Sequence, residues 1–457
     1  MIILQDQPHD LQDENAPPKI DNSVSRPNGL GSFCVPSLVI DALIDAQVSA
    51  YEVVAYLVLA RFTDLSGMYS TASISAINRY TGANKTRNGP VAKALERLAT
   101  IKVKKVRRVH NGKTGVASKY VDEVEDLGPI LYGREGWMAY TGEVLPDGPT
   151  EHRKVHYVLP DFDEDLADRV WFGNGLVSGH GQFAKPLKTL KDAGPAAARL
   201  LLALYQLNDM ETWGGVPPIG EGHGPRVRFE SVAEVSDVKD SAQVLRAKRS
   251  GSLCSSSCLR RVWNPNFKDW DAAHFAAGSP VWAALEALES AGFIYEIVMV
   301  LNRTAIKKKF ASGEEYGEIP LDAEPYYELD CRSKHGYKPA GESDGIGWLT
   351  ARTAGELGMS VALTDGKFDG TYAAIVPKGF GCMIVGIYRL RFRVANPKNA
   401  GVSGTWSGIN SRNREAQDFV NRIRIASGMA PLKINHTPSK KPITPDQDAG
   451  PDSWGKL

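Results

Sequence analysis

Apolar residues crowd the stretch 50–62, with Val54, Leu57, Val58 and Arg61 at helical spacing, and they crowd 196–207 in the same way. Ser49-Ala50-Tyr51-Glu52 has the S-x-x-E form of a capping box, in which the hydroxyl accepts from a backbone N–H and the carboxylate reaches back. A helix is therefore predicted to open at Ser49, and the polar turn 64–67 closes it. Residues 73–80 put Ile74 and Ile77 on one face of a second helix, and Thr81-Gly82-Ala83 supplies a tight turn. A third helix is predicted from about Asn88-Gly89-Pro90, because proline's missing N–H costs nothing in a first turn. Its buried stripe is Val91, Ala94, Leu95 and Leu98, which turns Lys93, Glu96 and Arg97 away from the core. The β-branched run 101–109, the turn 110–115 with its Asn111-Gly112 signal, and the run 116–121 read as a hairpin, with a bulge at Lys104-Lys105.

The pattern occurs twice. Pro90-Val91-Ala92-Lys93-Ala94-Leu95-Glu96-Arg97-Leu98 leads into the strand-like 101–109, and Pro280-Val281-Trp282-Ala283-Ala284-Leu285-Glu286-Ala287-Leu288 leads into the strand-like 293–301. Ser279 caps the second helix, Pro280 takes its first position and Gly292 ends it. Each copy follows a strongly apolar helix. Helix, intervening segment, amphipathic helix, strand, turn and strand is the order of a winged helix-turn-helix.

The expected fold class is α+β, with two such units in tandem, the second carrying a large insertion, and a mixed α+β C-terminal region. The predicted divisions are a flexible arm at 1–32, a first, DNA-reading unit at 33–122 and a connecting region at 123–190. A second unit at 191–335 holds the insertion 217–274, and its wing-like pair is 293–301 with 326–329. A region of unassigned role at 336–430, with a helix at 414–425, precedes a Pro-, Ser- and Lys-rich tail at 431–457 that is expected to be disordered.

Net charge is only +1 over 457 residues, so attraction to a polyanion has to come from uneven placement. The placement is uneven: 85–119 holds eleven basic residues against the single acid Glu96. Such a surface neutralises phosphates and releases counterions. Lys85, Thr86, Arg87 and Asn88 sit where base-reading donors are needed, Lys93 and Arg97 on the helix face, and Lys104, Lys105, Arg107, Arg108, His110, Asn111 and Lys113 along the wing. A plain solvated basic face is the competing reading.

The second copy has no lysine or arginine on its outward face. Trp282, with Glu286 beside it, is either an anchor in a protein interface or a side chain packed under the insertion. Arg303, Lys307, Lys308 and Lys309 are candidates for auxiliary phosphate contacts, or an ordinary exposed loop.

Other chemistry is thin. Five scattered cysteines argue against a disulfide framework, and Cys254, Cys258 and His274 lack the second close pair that a tetrahedral metal set needs. The glycine-dense stretches 214–215 and 220–224 lack the form of a phosphate-cradling loop. No metal, no cofactor and no enzymatic activity is expected. With neither a secretory signal nor a bilayer-length apolar run, the expectation is a soluble cytoplasmic, nucleoid-associated protein without membrane partners.

Residues 49–121 resemble the winged helix-turn-helix domains of bacterial plasmid and phage replication initiators, through the apolar opening helix, the Thr81-Gly82 turn and the Ala94-Leu95-Glu96-Arg97-Leu98 helix. Tandem units in one chain are similar to the two-domain plasmid initiators, where one copy reads origin repeats and the other serves dimerisation or further DNA contact. The resemblance implies sequence-specific binding of double-stranded DNA by a protein of a mobile element, with a homodimer or host replication proteins as partners. Initiation of replication leads, a transcriptional or partition regulator is second, and a scaffold or inhibitor reusing winged helices for protein contacts is the reading from another class.

Overall fold

The computed structural model describes residues 31–64, 66–83, 89–110, 120–145, 154–162, 169–179, 183–209, 212–218, 224–231, 236–237, 241–254, 262–263, 279–304, 306–309, 315–332, 346–358, 363–364, 367–368, 371–392 and 404–433. Most of the predicted arm and most of the predicted tail lie outside these residues, and Ser32, the last residue assigned to the arm, opens a strand. Within them the chain is mixed α+β.

Strand β1 (Ser32–Pro36) leads into α1 (Ser37–Asp45) and α2 (Ala50–Arg61). The capping box forms as expected: the Glu52 N–H donates to Ser49 Oγ at 3.4 Å, and the Ser49 N–H donates to Glu52 Oε2 at 2.7 Å. Every residue of α2 except Tyr51 is buried, as expected of a helix apolar all round. The two-residue strand β2 (Tyr69–Ser70), α3 (Ile74–Thr81), α4 (Pro90–Leu98) and the hairpin β3 (Lys102–His110) with β4 (Tyr120–Pro129) follow. Helix α4 begins at Pro90 and buries the expected Val91, Ala94, Leu95 and Leu98. The expected bulge falls between Val103 and Lys104. The second hairpin strand is described over Tyr120–Pro129 and so runs past the expected end at 121, while 116–119 lie outside the described residues.

Strand β5 (Tyr132–Gly133), α5 (Arg134–Thr141) and β6 (Tyr157–Val158) form a small module, with β6 pairing both β2 and β5. Strand β7 (Arg169–Gly173) returns to pair with β1, so the connecting region is woven into the first unit. Helices α6 (Gly175–Ser178), α7 (Pro186–Asp192) and α8 (Pro195–Gln206) come next. Helix α8 is the second strongly apolar helix, and it packs against α1 and α2. Arg199 on α8 is 8% exposed and spans the junction, donating from Nη1 to the Val48 carbonyl at 2.8 Å and from Nε to the Val262 carbonyl at 2.9 Å. One continuous apolar cluster runs from Phe33 through both apolar helices to Phe293 and Leu390.

The remaining chain builds one antiparallel sheet from β8 (Arg226–Ser231), β9 (Ser236–Asp237), β10 (Ala242–Cys254), β11 (Ile294–Leu301), β14 (Pro325–Arg332), β17 (Thr371–Pro377) and β18 (Met383–Leu390). Its order is β14-β11-β18-β8-β10-β17, with β9 beside β10. The hairpins β12 (Ile306–Lys309) with β13 (Glu315–Glu318), and β15 (Leu363–Thr364) with β16 (Lys367–Phe368), stand apart from it. Helix α9 (Pro280–Ser290), capped by Ser279, packs against α8, while α10 (Ile346–Glu356) and α11 (Gly404–Ala426) pack on each other and on β14.

This arrangement corrects the expected organisation of the second half. Strands β11 and β14 do pair, as the sequence predicted, but all eight residues of β11 are buried and β18 occupies its other edge, so this pair is interior sheet and not a projecting wing. Strands from the expected insertion, 217–274, pair with strands from the expected separate region, 336–430. Gly386 on β18 marks how close these strands come: a Cβ there would lie 2.9 Å from Val227, Phe229 and Glu296 side-chain atoms.

A chain ending at residue 335 loses β17 and the central strand β18. It is expected to show no cooperative unfolding transition by far-ultraviolet circular dichroism during denaturant titration, whereas a cooperative transition in that fragment would restore a domain boundary there.

Candidate nucleic-acid interface

Helix α3 is capped by Ser73, whose Oγ accepts from the Ala76 N–H at 3.3 Å, and it ends on Gly82 in the left-handed region at φ 67°. That turn admits glycine for a second reason, because a Cβ would meet Lys188 Cδ at 3.0 Å. Lys188 belongs to α7, so its stem lies across the turn between α3 and α4. No periodicity or motif ties residue 188 to residue 82, so this contact has no local signal. Lys85, Thr86, Arg87 and Asn88 lie outside the described residues.

On α4, Lys93 and Glu96 are exposed. Arg97 has a different engagement from the one its outward position predicts. Its Nη1 lies 3.0 Å from Glu52 Oε2 and its Nη2 donates to the Ala46 carbonyl at 2.9 Å. The Glu52 side chain is only 6% exposed, so the carboxylate that closes the capping box of α2 takes its countercharge from Arg97 of α4. Arg97 is therefore occupied in joining two helices.

The hairpin changes the electrostatic picture most. Strand β3 carries five basic residues and β4 carries the four acids Asp122, Glu123, Glu125 and Asp126. The register sets Lys104 opposite Asp126, Lys105 opposite Glu125, Arg107 opposite Glu123 and Arg108 opposite Asp122. A count that ends at Lys119 misses this opposition. Lys102 Nζ reaches Asp126 Oδ2 at 2.7 Å, which holds the ammonium above its usual range, and Lys102 together with the Gly128 N–H holds Asp126 below the carboxylate range. Between these charges, Val106 and Val124 face each other in register and are 60% and 59% exposed. His110 is known by its strand position, opposite Tyr120, while Asn111 and Lys113 lie outside the described residues.

The auxiliary candidates are likewise opposed by acids or tied into strands. Arg303 Nε pairs with Asp322 at 2.9 Å, and Lys307, Lys308 and Lys309 occupy β12 against β13, with Lys309 opposite Glu315. Trp282 is half-buried, its indole N–H bonds Glu286, and the Arg249 guanidinium of β10 sits 5.9 Å from its ring centre. Arg249 belongs to a strand of the expected insertion, so the indole has a contact with that segment. Among the described residues no group of His, Cys, Asp and Glu side chains is arranged to hold a metal ion, and no helix is long and apolar enough to cross a membrane. Cys258 and His274 lie outside the described residues.

The β5–α5–β6 module stands beside the hairpin. Glu143 accepts from Trp137 Nε1 at 2.7 Å and from the Tyr69 hydroxyl at 2.9 Å. Burial, and then the bond and charge of Glu143, push the Tyr69 phenol up to about 12. Burial pushes His156 below its usual range, and Lys154 and Arg134 add to this.

No family model, no curated protein and no solved structure matches this chain.

Removing Arg97 leaves Glu52 buried without its countercharge. Arg97→Ala is expected to cost about 1–3 kcal/mol, discounted for the half-exposed guanidinium, and adding Glu52→Gln to it should recover part of that in denaturant titration. A fully additive double variant would mean the pair is not coupled. A phenol raised in the folded state contributes stability that is present below about pH 10 and is lost as pH climbs toward 12. The phenolate absorbance difference between wild type and Tyr69→Phe should accordingly have its midpoint near 12; a midpoint near 10 would contradict the Tyr69–Glu143 bond.

Proposed function

We propose that this chain is a binding protein without catalytic chemistry, which contacts double-stranded DNA through α3, its turn and α4, with β3–β4 as the wing of a winged helix-turn-helix. The carrying observation is the exposure of Lys93 on α4, whose opposite face is sealed by Val91, Ala94, Leu95 and Leu98. The basic residues Lys85 and Arg87 precede it in sequence, and Lys188 of α7 lies across the turn that leads to it. The order of elements from α2 to β4 supports the winged-helix reading. With its basic strand set against an acidic one, the wing acts as a positioning ribbon more than as a source of net charge.

The role assigned is initiation of replication on a plasmid or phage, in line with the resemblance of residues 49–121. A homodimer or host replication proteins are the partners this role calls for. One observation favours the competing protein-contact scaffold: the paired charges of the hairpin, with Val106 and Val124 exposed between them. A scaffold predicts no salt-sensitive affinity for duplex at all.

Footprinting on the replicon that encodes the protein, followed by fluorescence anisotropy on the protected site across ionic strength, separates these roles. Protected repeats near an origin support initiation, and a protected promoter supports regulation. Affinity should fall steeply with salt. Lys93→Ala should weaken the site about tenfold, while Lys105→Ala, opposite Glu125, should shift it by less than about threefold. Unchanged binding in Lys93→Ala would remove α4 as the reader.

A further inference from the structure

The module beside the hairpin has a small apolar core of Tyr69, Leu145, Val155 and Val158, against which Tyr132 and Trp137 pack, and Tyr140 extends this aromatic group into solvent. Helix α5 buries none of its residues, yet Trp137 and Tyr140, three apart on it, meet Tyr132 of β5. Tyr132 and Tyr140 stack with centroids 5.3 Å apart and planes at 22°. Trp137 stands edge-on to Tyr132 at 5.3 Å and lies 6.1 Å from Tyr140. Tyr140 is 71% exposed. Water is a poor environment for a cluster of this size, and exposed apolar groups in contact with one another mark binding sites.

The group is also held in place. Glu143 fixes the indole through Trp137 Nε1 and is itself held by the Tyr69 hydroxyl, so that its carboxylate is engaged by two donors and does not confront a ligand unpaired. The Tyr132 hydroxyl lies beside Gly128 of β4, at the base of the hairpin, where an added Cβ would meet it at 3.6 Å. Lys102 of β3 lies within electrostatic reach of the Tyr132 phenol, as does its partner Asp126. Lys104, two residues further along β3, is exposed, and so is Lys154 on the far strand's approach. The exposed Tyr140 ring, stacked on Tyr132 beside a strand that carries Lys102, paired with Asp126, and the exposed Lys104, matches the two parts of a single-stranded nucleic acid, bases and phosphates.

We infer that Tyr132, Trp137 and Tyr140 form a stacking platform for unpaired nucleobases at the foot of the wing. The parallel pair Tyr132 and Tyr140 continues naturally into a third, planar ring, which a base supplies in any sequence. Strand β3 follows α4 after three residues, so the platform adjoins the unit proposed to hold duplex. A protein that seats duplex on α4 and an unpaired strand on this module would hold the two sides of a duplex–single-strand junction. The inference rests on the DNA-binding reading of α3 and α4.

The test uses the full chain and two probes, a labelled oligothymidylate and the footprinted duplex. Wild type should bind both. Tyr140→Ala should weaken oligothymidylate about tenfold and leave the duplex affinity unchanged; Tyr140→Phe should keep single-strand binding, and Lys93→Ala should show the reverse selectivity. Because Tyr140 is largely exposed, the thermal midpoint of Tyr140→Ala should match wild type, and a matched midpoint makes any lost binding a lost contact. Failure of wild type to bind oligothymidylate, or equal single-strand affinity in wild type and Tyr140→Ala, overturns the platform while duplex binding through α4 stands. Loss of duplex binding in wild type overturns the reading it rests on. Selective loss of a co-purifying protein in Tyr140→Ala, with single-strand affinity intact, assigns the rings to a protein partner and overturns the inference.

Discussion

Two helices apolar on all sides cannot face water, and in this chain they cover each other. Helices α2 and α8 lie in contact at the centre of a continuous cluster, and Arg199 supplies the polar closure by bonding the carbonyls of Val48 and Val262. Burying an arginine is costly unless its donors are used, and here two of them end on backbone oxygens that would otherwise be stranded. The consequence is architectural. The duplicated helical pattern does not give two self-sufficient beads, because the central helix of each copy is part of the wall of the other. What the first copy presents outward, α3, α4 and the hairpin, is positioned by a core to which residues far along the chain contribute.

The same dependence explains how α4 is seated. Its apolar stripe packs on α2, and its Arg97 neutralises the carboxylate that caps α2, so one residue that reads as surface charge is a joint between helices. The hairpin shows a related economy. Five basic positions on β3 are set against four acidic ones on β4, which keeps a long two-stranded projection polar and discourages unwanted pairing along its edges. A ribbon of this kind contributes little net attraction to phosphate, so under the proposed DNA-binding role the weight falls on α4 and the turn before it.

Local signals were legible and distant ones were not. The Ser49–Glu52 box, the Ser279 cap, Pro90 and Pro280 at first helical positions and the Thr81-Gly82 turn depend on residues within four of one another, and each element was placed within a residue or so. The pairing of β11 with β14 could also be read. Its enclosure could not, because eight buried residues in a row state that both faces are covered and say nothing about which strands lie at the edges. Strands β8 and β18 meet across most of the second half of the chain, and no periodicity encodes that. The acids of β4 are present in the sequence, but their effect depends on the register in which β4 pairs with β3. Lys188 over Gly82, and Arg249 over Trp282, are contacts of tertiary origin.

Hydrogen exchange of the full chain, with and without the footprinted duplex, reads out whether α4 meets DNA from the frame that α2 and α8 build. Slowed exchange is expected to be confined to α3, the turn and the first two turns of α4, with smaller changes at β3 and β4. Protection centred instead on β12, on α9 or on the faces of the large sheet, with α4 unchanged, would contradict it.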